Sequence, residues 1–167
     1  MKFTNPKDLV TDKLVEICRP LQTIFVIGYT KTGKYTIAKE LSEKLNREMF
    51  VSDEFQDRYR EKALDQLEME IEHCYYAGKN VIFEGILGFR LLRRLGNKGY
   101  ITPDLIIKTN CNEQTIRHFY HKEEPHKNIN RVLGFNNGLE KIWNEYIEIV
   151  SYTYKKPKFL TLNTSII

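Results

Sequence analysis

Short apolar runs alternate along this chain with segments whose apolar residues repeat every three or four positions. The runs predict buried strands, and the longer repeat predicts helices that pack by one face. The predicted strands are 23–27, 49–51, 80–85, 105–107 and 159–162. The predicted helices are 6–17, 37–45, 58–77 and 138–152, with two more around residues 90 and 117. This alternation predicts an α/β fold with a parallel sheet, in which ligands bind beyond the carboxyl ends of the strands.

Two of the predicted helices carry end signals. Asn5 and Pro6 favour a helix start, so one helix is expected to run to Ile17. Gly78 favours a helix end, so the helix before it is expected to be continuous from 58 to 77.

The turn after the first predicted strand has the composition of a phosphate-binding loop. It consists of Gly28, Tyr29, Thr30, Lys31, Thr32, Gly33, Lys34, Tyr35 and Thr36. In such a turn, backbone N–H groups and the positive end of the helix dipole face an anion, while the lysine reaches the outer phosphates. All nine residues are therefore candidate ligands of a nucleoside triphosphate.

One position in this loop departs from the usual pattern. A Ser or Thr that binds Mg²⁺ is expected after Gly33-Lys34, and the phenol of Tyr35 lies too far from the backbone to replace it. Thr36 follows one residue later. Two outcomes stay open: a working site, or a degenerate site that binds nucleotide without turnover.

Carboxylates stand at the ends of the second and third predicted strands. Asp53 is placed to accept a proton from an attacking hydroxyl, or to orient it. The alternative is that Ser52 or Asp53 only caps the next helix. Glu84 is placed to hold Mg²⁺ directly or through water, the alternative being an ordinary strand end.

Basic residues and glycines follow these carboxylates. Arg58, Gly85 and Arg90 are candidate contacts of the acceptor substrate. Segment 122–135 is polar and predicts a lid loop that closes over the site, with Arg117 and Arg131 as candidate ligands of the transferred phosphate.

Composition fits one small globular domain over 1–167, with a helical extension at 1–20. The chain has 167 residues, of which 41% are hydrophobic and 29% charged. It has neither an apolar run long enough for a membrane nor a secretory segment, which predicts a cytoplasmic protein. Its net charge of +4 suits an anionic substrate but is below a nucleic-acid-binding signature.

Together these features resemble the nucleoside and nucleotide kinase superfamily of P-loop proteins. The resemblance spans about 22–165, and it implies a three-layer fold around a five-stranded sheet of order 2-3-1-4-5. It also implies ATP and Mg²⁺ as cofactors, with Lys34 bridging the β- and γ-phosphates and Thr36 on the α-phosphate.

The implied activity is ATP-dependent phosphoryl transfer to a hydroxyl of a nucleoside, a nucleotide or a nucleic-acid 5′ end. Asp53 is similar to the aspartate of polynucleotide 5′-hydroxyl kinases, shikimate-type kinases and zeta-toxin-like kinases. Gln56 departs from the polynucleotide kinase pattern, which has arginine there. A nucleoside monophosphate kinase and a nucleotide-binding regulatory protein remain the alternatives.

Overall fold

A computed structural model describes residues 5–165. The two ends of the predicted domain, 1–4 and 166–167, lie outside the described residues. The sheet has five parallel strands in the order β2-β3-β1-β4-β5, which confirms the predicted fold. The strands are β1 (Thr23–Gly28), β2 (Glu48–Val51), β3 (Val81–Glu84), β4 (Leu105–Asn110) and β5 (Lys158–Asn163).

Helices cover both faces of this sheet. They are α1 (Asp12–Cys18), α2 (Lys34–Leu45), α3 (Ser52–Tyr59), α4 (Ala63–Tyr76), α5 (Gly88–Lys98), α6 (Glu113–Glu123) and α7 (Ile129–Ser151). Short 3-10 helices occupy Pro6–Leu9 and Arg60–Lys62. Within residues 5–165, none of these helices combines the length and the apolar character needed to cross a bilayer.

The central strand β1 is buried along its whole length because helices pack against both of its faces. Phe25 and Ile27 belong to the larger core, which α4, α5 and α7 cover. Ile24 and Val26 belong to the second core, which α1 and α2 cover. The carboxyl end of β1 thus emerges from a rigid centre, where the phosphate-binding loop begins.

The single helix predicted for 6–17 is wrong, because the segment forms two elements. Asn5 caps the 3-10 helix as expected, with its Oδ1 accepting from Lys7 N at 3.0 Å. Thr11 then starts α1, since its Oγ1 accepts from Leu14 N at 3.2 Å. In α1, Leu14, Val15 and Cys18 are buried, and Ile17 is exposed.

The continuous helix predicted for 58–77 is also wrong. The helical segment starts earlier, with α3 at Ser52. Arg60, at φ +54°, separates α3 from α4. A residue with a side chain rarely adopts this φ, and the sequence carries no Gly or Pro to signal the break. The predicted stop is confirmed, because Gly78 follows α4 at φ +71°.

Segment 122–135, which we predicted as a polar loop, is mostly helical. Only residues 124–128 connect α6 to α7, and α7 begins at Ile129 rather than near Gly138. Asn128 explains the early start, because its Oδ1 accepts from Asn130 N at 3.0 Å and from Arg131 N at 3.4 Å. Closure of this segment over a substrate stays a prediction.

Candidate active site

Threonine side chains hold the phosphate-binding loop against β4. A Cβ at Gly28 would lie 1.9 Å from Thr109 Oγ1, so only glycine permits this approach. Thr32 Oγ1 lies 2.6 Å from Thr109 Oγ1 and donates to the Tyr29 carbonyl at 2.8 Å. Because the Thr32 hydroxyl points inward, this residue presents its backbone rather than its side chain to a ligand.

The loop backbone is left-handed at two positions before α2. Lys31 has φ +62° and Gly33 has φ +80°. A Cβ at Gly33 would lie 2.6 Å from Pro6 Cγ, so the amino-terminal 3-10 helix packs directly against the loop. No side chain caps the start of α2, which leaves its first N–H groups available to an anion.

Lys34 lies in the first turn of α2 and folds back onto the loop. Its Nζ donates to the Tyr29 carbonyl at 3.1 Å. Burial lowers the pKa of Lys34, and the neighbouring carboxylates of Glu84 and Asp53 oppose that shift. Tyr35 is exposed, so its ring does not fill the loop. Thr36 lines a cavity beside the loop.

Glu84 ends β3 in register with Val26 of β1 and Val51 of β2. It is 4% exposed, and burial raises its pKa to about 7. The positive charge of Lys34 acts against this rise, while Asp53 adds to it. A buried carboxylate between two strands, next to the loop lysine, marks the carboxyl edge of the sheet as the candidate site.

Asp53 lies in the first turn of α3, two residues beyond Val51. The alternative that Ser52 or Asp53 caps α3 is wrong, because Val51 occupies the cap position without a side-chain bond. Ser52 Oγ instead accepts from Leu87 N at 3.3 Å. Asp53 is exposed, so its carboxylate is accessible to a ligand above the sheet edge.

These carboxylates suit Mg²⁺ only together with a nucleotide. No cluster of three or more His, Cys, Asp or Glu side chains that would hold a metal occurs in the described part of the chain. Magnesium is commonly bound by one or two carboxylates plus substrate phosphates and water. Glu84, with Asp53 nearby, therefore fits a nucleotide-borne Mg²⁺ and does not form a protein-only site.

The carboxyl half of α6 docks on the same loop. Lys31 Nζ lies 3.0 Å from Glu123 Oε2 and 3.5 Å from Glu124 Oε2. Tyr120 is buried, and its ring centre lies 6.0 Å from Lys31 Nζ. A cavity of about 260 Å³ opens between loop and helix, and its lining includes Gly33, Thr36, Phe119, Glu123 and Thr164.

The predicted acceptor and lid arginines lie on four different helices, α3, α5, α6 and α7. Arg117 pairs with Glu113 of its own helix at 2.7 Å, and Arg131 is exposed in the first turn of α7. The Arg58 guanidinium lies 5.4 Å from the ring centre of Tyr59, and Arg90 is exposed on α5.

The local packing requires glycine at position 85. It has φ +139°, and a Cβ there would lie 2.1 Å from Ser52 Cβ. The lack of a side chain thus permits close packing of the turn after β3 against the start of α3. A contact between Gly85 and substrate stays a prediction.

Two features of the site were not predicted, namely a buried lysine and the docking of α6. Lys108 is 8% exposed within β4, which extends three residues beyond the predicted strand. A lysine directly after the apolar residues 105–107 was the available signal. The contacts of α6 with the loop had no such local signal.

Comparison with solved structures agrees with this architecture. Shikimate kinase from Bacteroides thetaiotaomicron superposes with a TM-score of 0.55 at 14% identity, over 86% of this chain and 87% of that chain. A kinase candidate from Chloroflexus aurantiacus J-10-fl superposes with a TM-score of 0.54 at 16% identity, over 87% of this chain and 89% of that chain. No protein-family profile and no curated protein matches the sequence.

The chain therefore has the adenylate-kinase-like fold of P-loop kinases. At these identities, the likeness defines the fold alone.

Proposed function

We propose that this protein is an ATP-dependent kinase that transfers the γ-phosphate to a hydroxyl of a small molecule, a nucleoside or a nucleotide. The observation that carries the proposal is the grouping of Lys34 with two carboxylates, Glu84 and Asp53, at the carboxyl edge of the sheet. A cation for phosphate, a carboxylate for a nucleotide-borne metal and an accessible base are the parts that phosphoryl transfer to a hydroxyl needs.

Each part has a defined task in this proposal. The uncapped N–H groups of α2 and the loop backbone bind the phosphates, and Lys34 leaves the Tyr29 carbonyl to reach the β- and γ-phosphates. Thr36 lies beside the α-phosphate. Mg²⁺ held near Glu84 would neutralise phosphate charge when nucleotide is bound. Asp53 accepts the proton of the attacking hydroxyl.

The position of Asp53 supports a hydroxyl acceptor over a phosphate acceptor. A hydroxyl must lose a proton as it attacks phosphorus, whereas a phosphate is already ionised and needs cations around it. Asp53 is accessible and no cap bond occupies it, while Arg117 is paired with Glu113. These contacts favour the hydroxyl kinase over a nucleoside monophosphate kinase.

The exposed ring of Tyr35 leaves the loop open to phosphates, which both turnover and nucleotide binding without turnover require. A ring that filled the loop would block the phosphates, but Tyr35 is 47% exposed.

The acceptor is better sought among small molecules than among nucleic-acid ends, since a net charge of +4 gives little general attraction for a polyanion.

The test is a turnover screen over hydroxyl and phosphate acceptors with ATP and Mg²⁺, followed by Asp53→Asn. This variant keeps the shape of the side chain, so we expect unchanged thermal stability and ATP affinity. Turnover on the hydroxyl acceptor should fall by about 10²- to 10⁴-fold, the usual contribution of general base catalysis.

Asp57→Asn is the matched control, because it makes the same change one turn further along α3. It should leave turnover within about twofold of wild type. Near wild-type rates in Asp53→Asn, with nucleoside monophosphates as the accepted substrates, would replace the hydroxyl kinase by a monophosphate kinase.

A further inference from the structure

A second polar site lies on the α7 face of the sheet, beside β4 and β5. Parallel register pairs Lys108 with Thr161 and Asn110 with Asn163. Side chains two apart on a strand share a face, so these four form a square at the carboxyl ends of the two strands. They line a cavity of about 600 Å³ together with Tyr29 and Glu140.

This square follows an aromatic contact on the same face of the sheet. One step earlier on the same face, Ile106 pairs with Phe159, whose ring lies 5.7 Å from that of Trp143 on α7. The change to four polar residues on the edge strand β5 and its neighbour β4 leaves a cavity with a polar lining beside this aromatic contact.

The buried member of the square is Lys108. Its Nζ lies 2.8 Å from Asn110 Oδ1, 3.7 Å from Glu140 Oε2 and 4.7 Å from the ring centre of Tyr29. Burial lowers the pKa of this lysine. Residues of three different elements thus hold the Lys108 ammonium in place, and Lys108 forms part of the cavity lining.

Glu140 supplies an acceptor that the protein does not use. Its Oε2 atom is buried and has no hydrogen-bond partner among the described residues, since 3.7 Å to Lys108 is an ion pair without a hydrogen bond. A buried carboxylate oxygen without a donor is costly. Because the Glu140 side chain as a whole is 45% exposed, a ligand hydroxyl would meet the carboxyl group at its other oxygen.

The charges of the site decide the class of ligand. Lys108 and Glu140 cancel, and the other members of the square, Asn110, Thr161 and Asn163, are neutral. Neither a phosphate nor an amine gains net attraction here. Hydroxyl groups donate and accept at once, so they match a lining that offers ammonium and amide donors beside a carboxylate acceptor.

We propose that this cavity binds a small neutral polyol, such as a sugar or a sugar alcohol, through Lys108, Glu140, Thr161 and the two asparagines. This site adjoins the phosphate-binding loop at Tyr29, but it goes beyond the proposed phosphoryl transfer and does not depend on it. Binding needs no nucleotide, so a failure of the kinase proposal would leave this one open to its own test.

The protein carries its own reporter for that test. Trp143 is the single tryptophan, and the Lys108 ammonium lies 5.8 Å from its ring centre. Tryptophan fluorescence and calorimetry would be recorded without nucleotide on sorbitol, myo-inositol and ribose. Gluconate and glucamine serve as the anionic and cationic analogues of sorbitol. We expect a neutral polyol to bind with a Kd of about 1 mM, and the charged analogues to bind about tenfold more weakly.

Variants then locate the binding. Thr161→Val changes an exposed strand residue and should weaken binding about tenfold, because it removes one hydrogen-bonding group. Lys108→Met should weaken it at least as much, and near-ultraviolet circular dichroism checks that variant's fold. Thr102→Val, just before β4 at the other end of the sheet, is the control and should leave the affinity unchanged.

Three results would overturn the proposal. The first is that none of the three neutral polyols binds below about 20 mM. The second is that gluconate or glucamine binds more tightly than sorbitol. The third is that binding is unaffected by Thr161→Val, which would place it elsewhere.

Discussion

Replacing Glu84 by glutamine should make the protein more stable at alkaline pH and less active. Burial raises the pKa of Glu84 from 4.5 to about 7, so the folded state holds a proton that the unfolded state releases near pH 4.5. The stability that this bound proton provides is complete at low pH and is lost as the pH rises through about 7. Above that value, the folded protein keeps a buried charge at a cost.

The size of the effect follows from the two pKa values. One pKa unit corresponds to about 1.4 kcal/mol, so between pH 5 and pH 8 Glu84 should reduce the free energy of unfolding by about 2.5 kcal/mol. Glutamine has nearly the same shape and does not ionise, so Glu84→Gln should lack this loss. Turnover should nevertheless fall by at least about tenfold, because the candidate metal-binding oxygen is removed.

Urea denaturation of wild type and Glu84→Gln at pH 5 and at pH 8 measures this difference directly. Glu48→Gln, an exposed glutamate on the neighbouring strand β2, controls for the loss of one carboxyl group. The same pH dependence in wild type and Glu84→Gln would refute the argument that Glu84 is a buried, proton-binding carboxylate. Unchanged turnover in Glu84→Gln would refute its metal-binding role.

Two further predictions concern the phosphate-binding loop. Tyr35→Gly should retain turnover within about fivefold, since the Tyr35 ring faces solvent, and a loss above about 100-fold in a folded variant would contradict this placement. Lys31→Ala should speed cleavage after Glu123 by a glutamate-specific protease about fivefold, because it removes two ion pairs between the loop and the end of α6. An unchanged cleavage rate would show that those ion pairs do not hold α6.

The parts of the fold that could be predicted carry local signals. The buried strands form compact apolar runs, and the loop from Gly28 to Thr36 carries its glycines and lysine at fixed spacing. The strand order came from the resemblance that these residues support, and the sheet confirms it.

The missed features depend on contacts between distant segments or on unusual backbone. Arg60 breaks a helix in a conformation that its residue type does not announce. The buried position of Lys108 results from Tyr29, Asn110 and Glu140 meeting in the folded chain. Asn128 is an exception, since its capping signal is local but lies in a polar segment that composition alone assigns to a loop.

The most direct measurement of phosphoryl transfer is ³¹P NMR of ATP with Mg²⁺ and a mixture of nucleosides, nucleotides and small hydroxyl compounds, with and without the protein. Wild type should remove the γ-phosphate resonance and produce a phosphomonoester signal. Lys34→Ala should be at least about 10²-fold slower, because it loses the cation that stabilises the transferred phosphate, and Lys39→Ala, exposed on α2, should match wild type. Unchanged ATP with wild type, or equal rates in a folded Lys34→Ala variant, would contradict the proposal that this loop transfers phosphate.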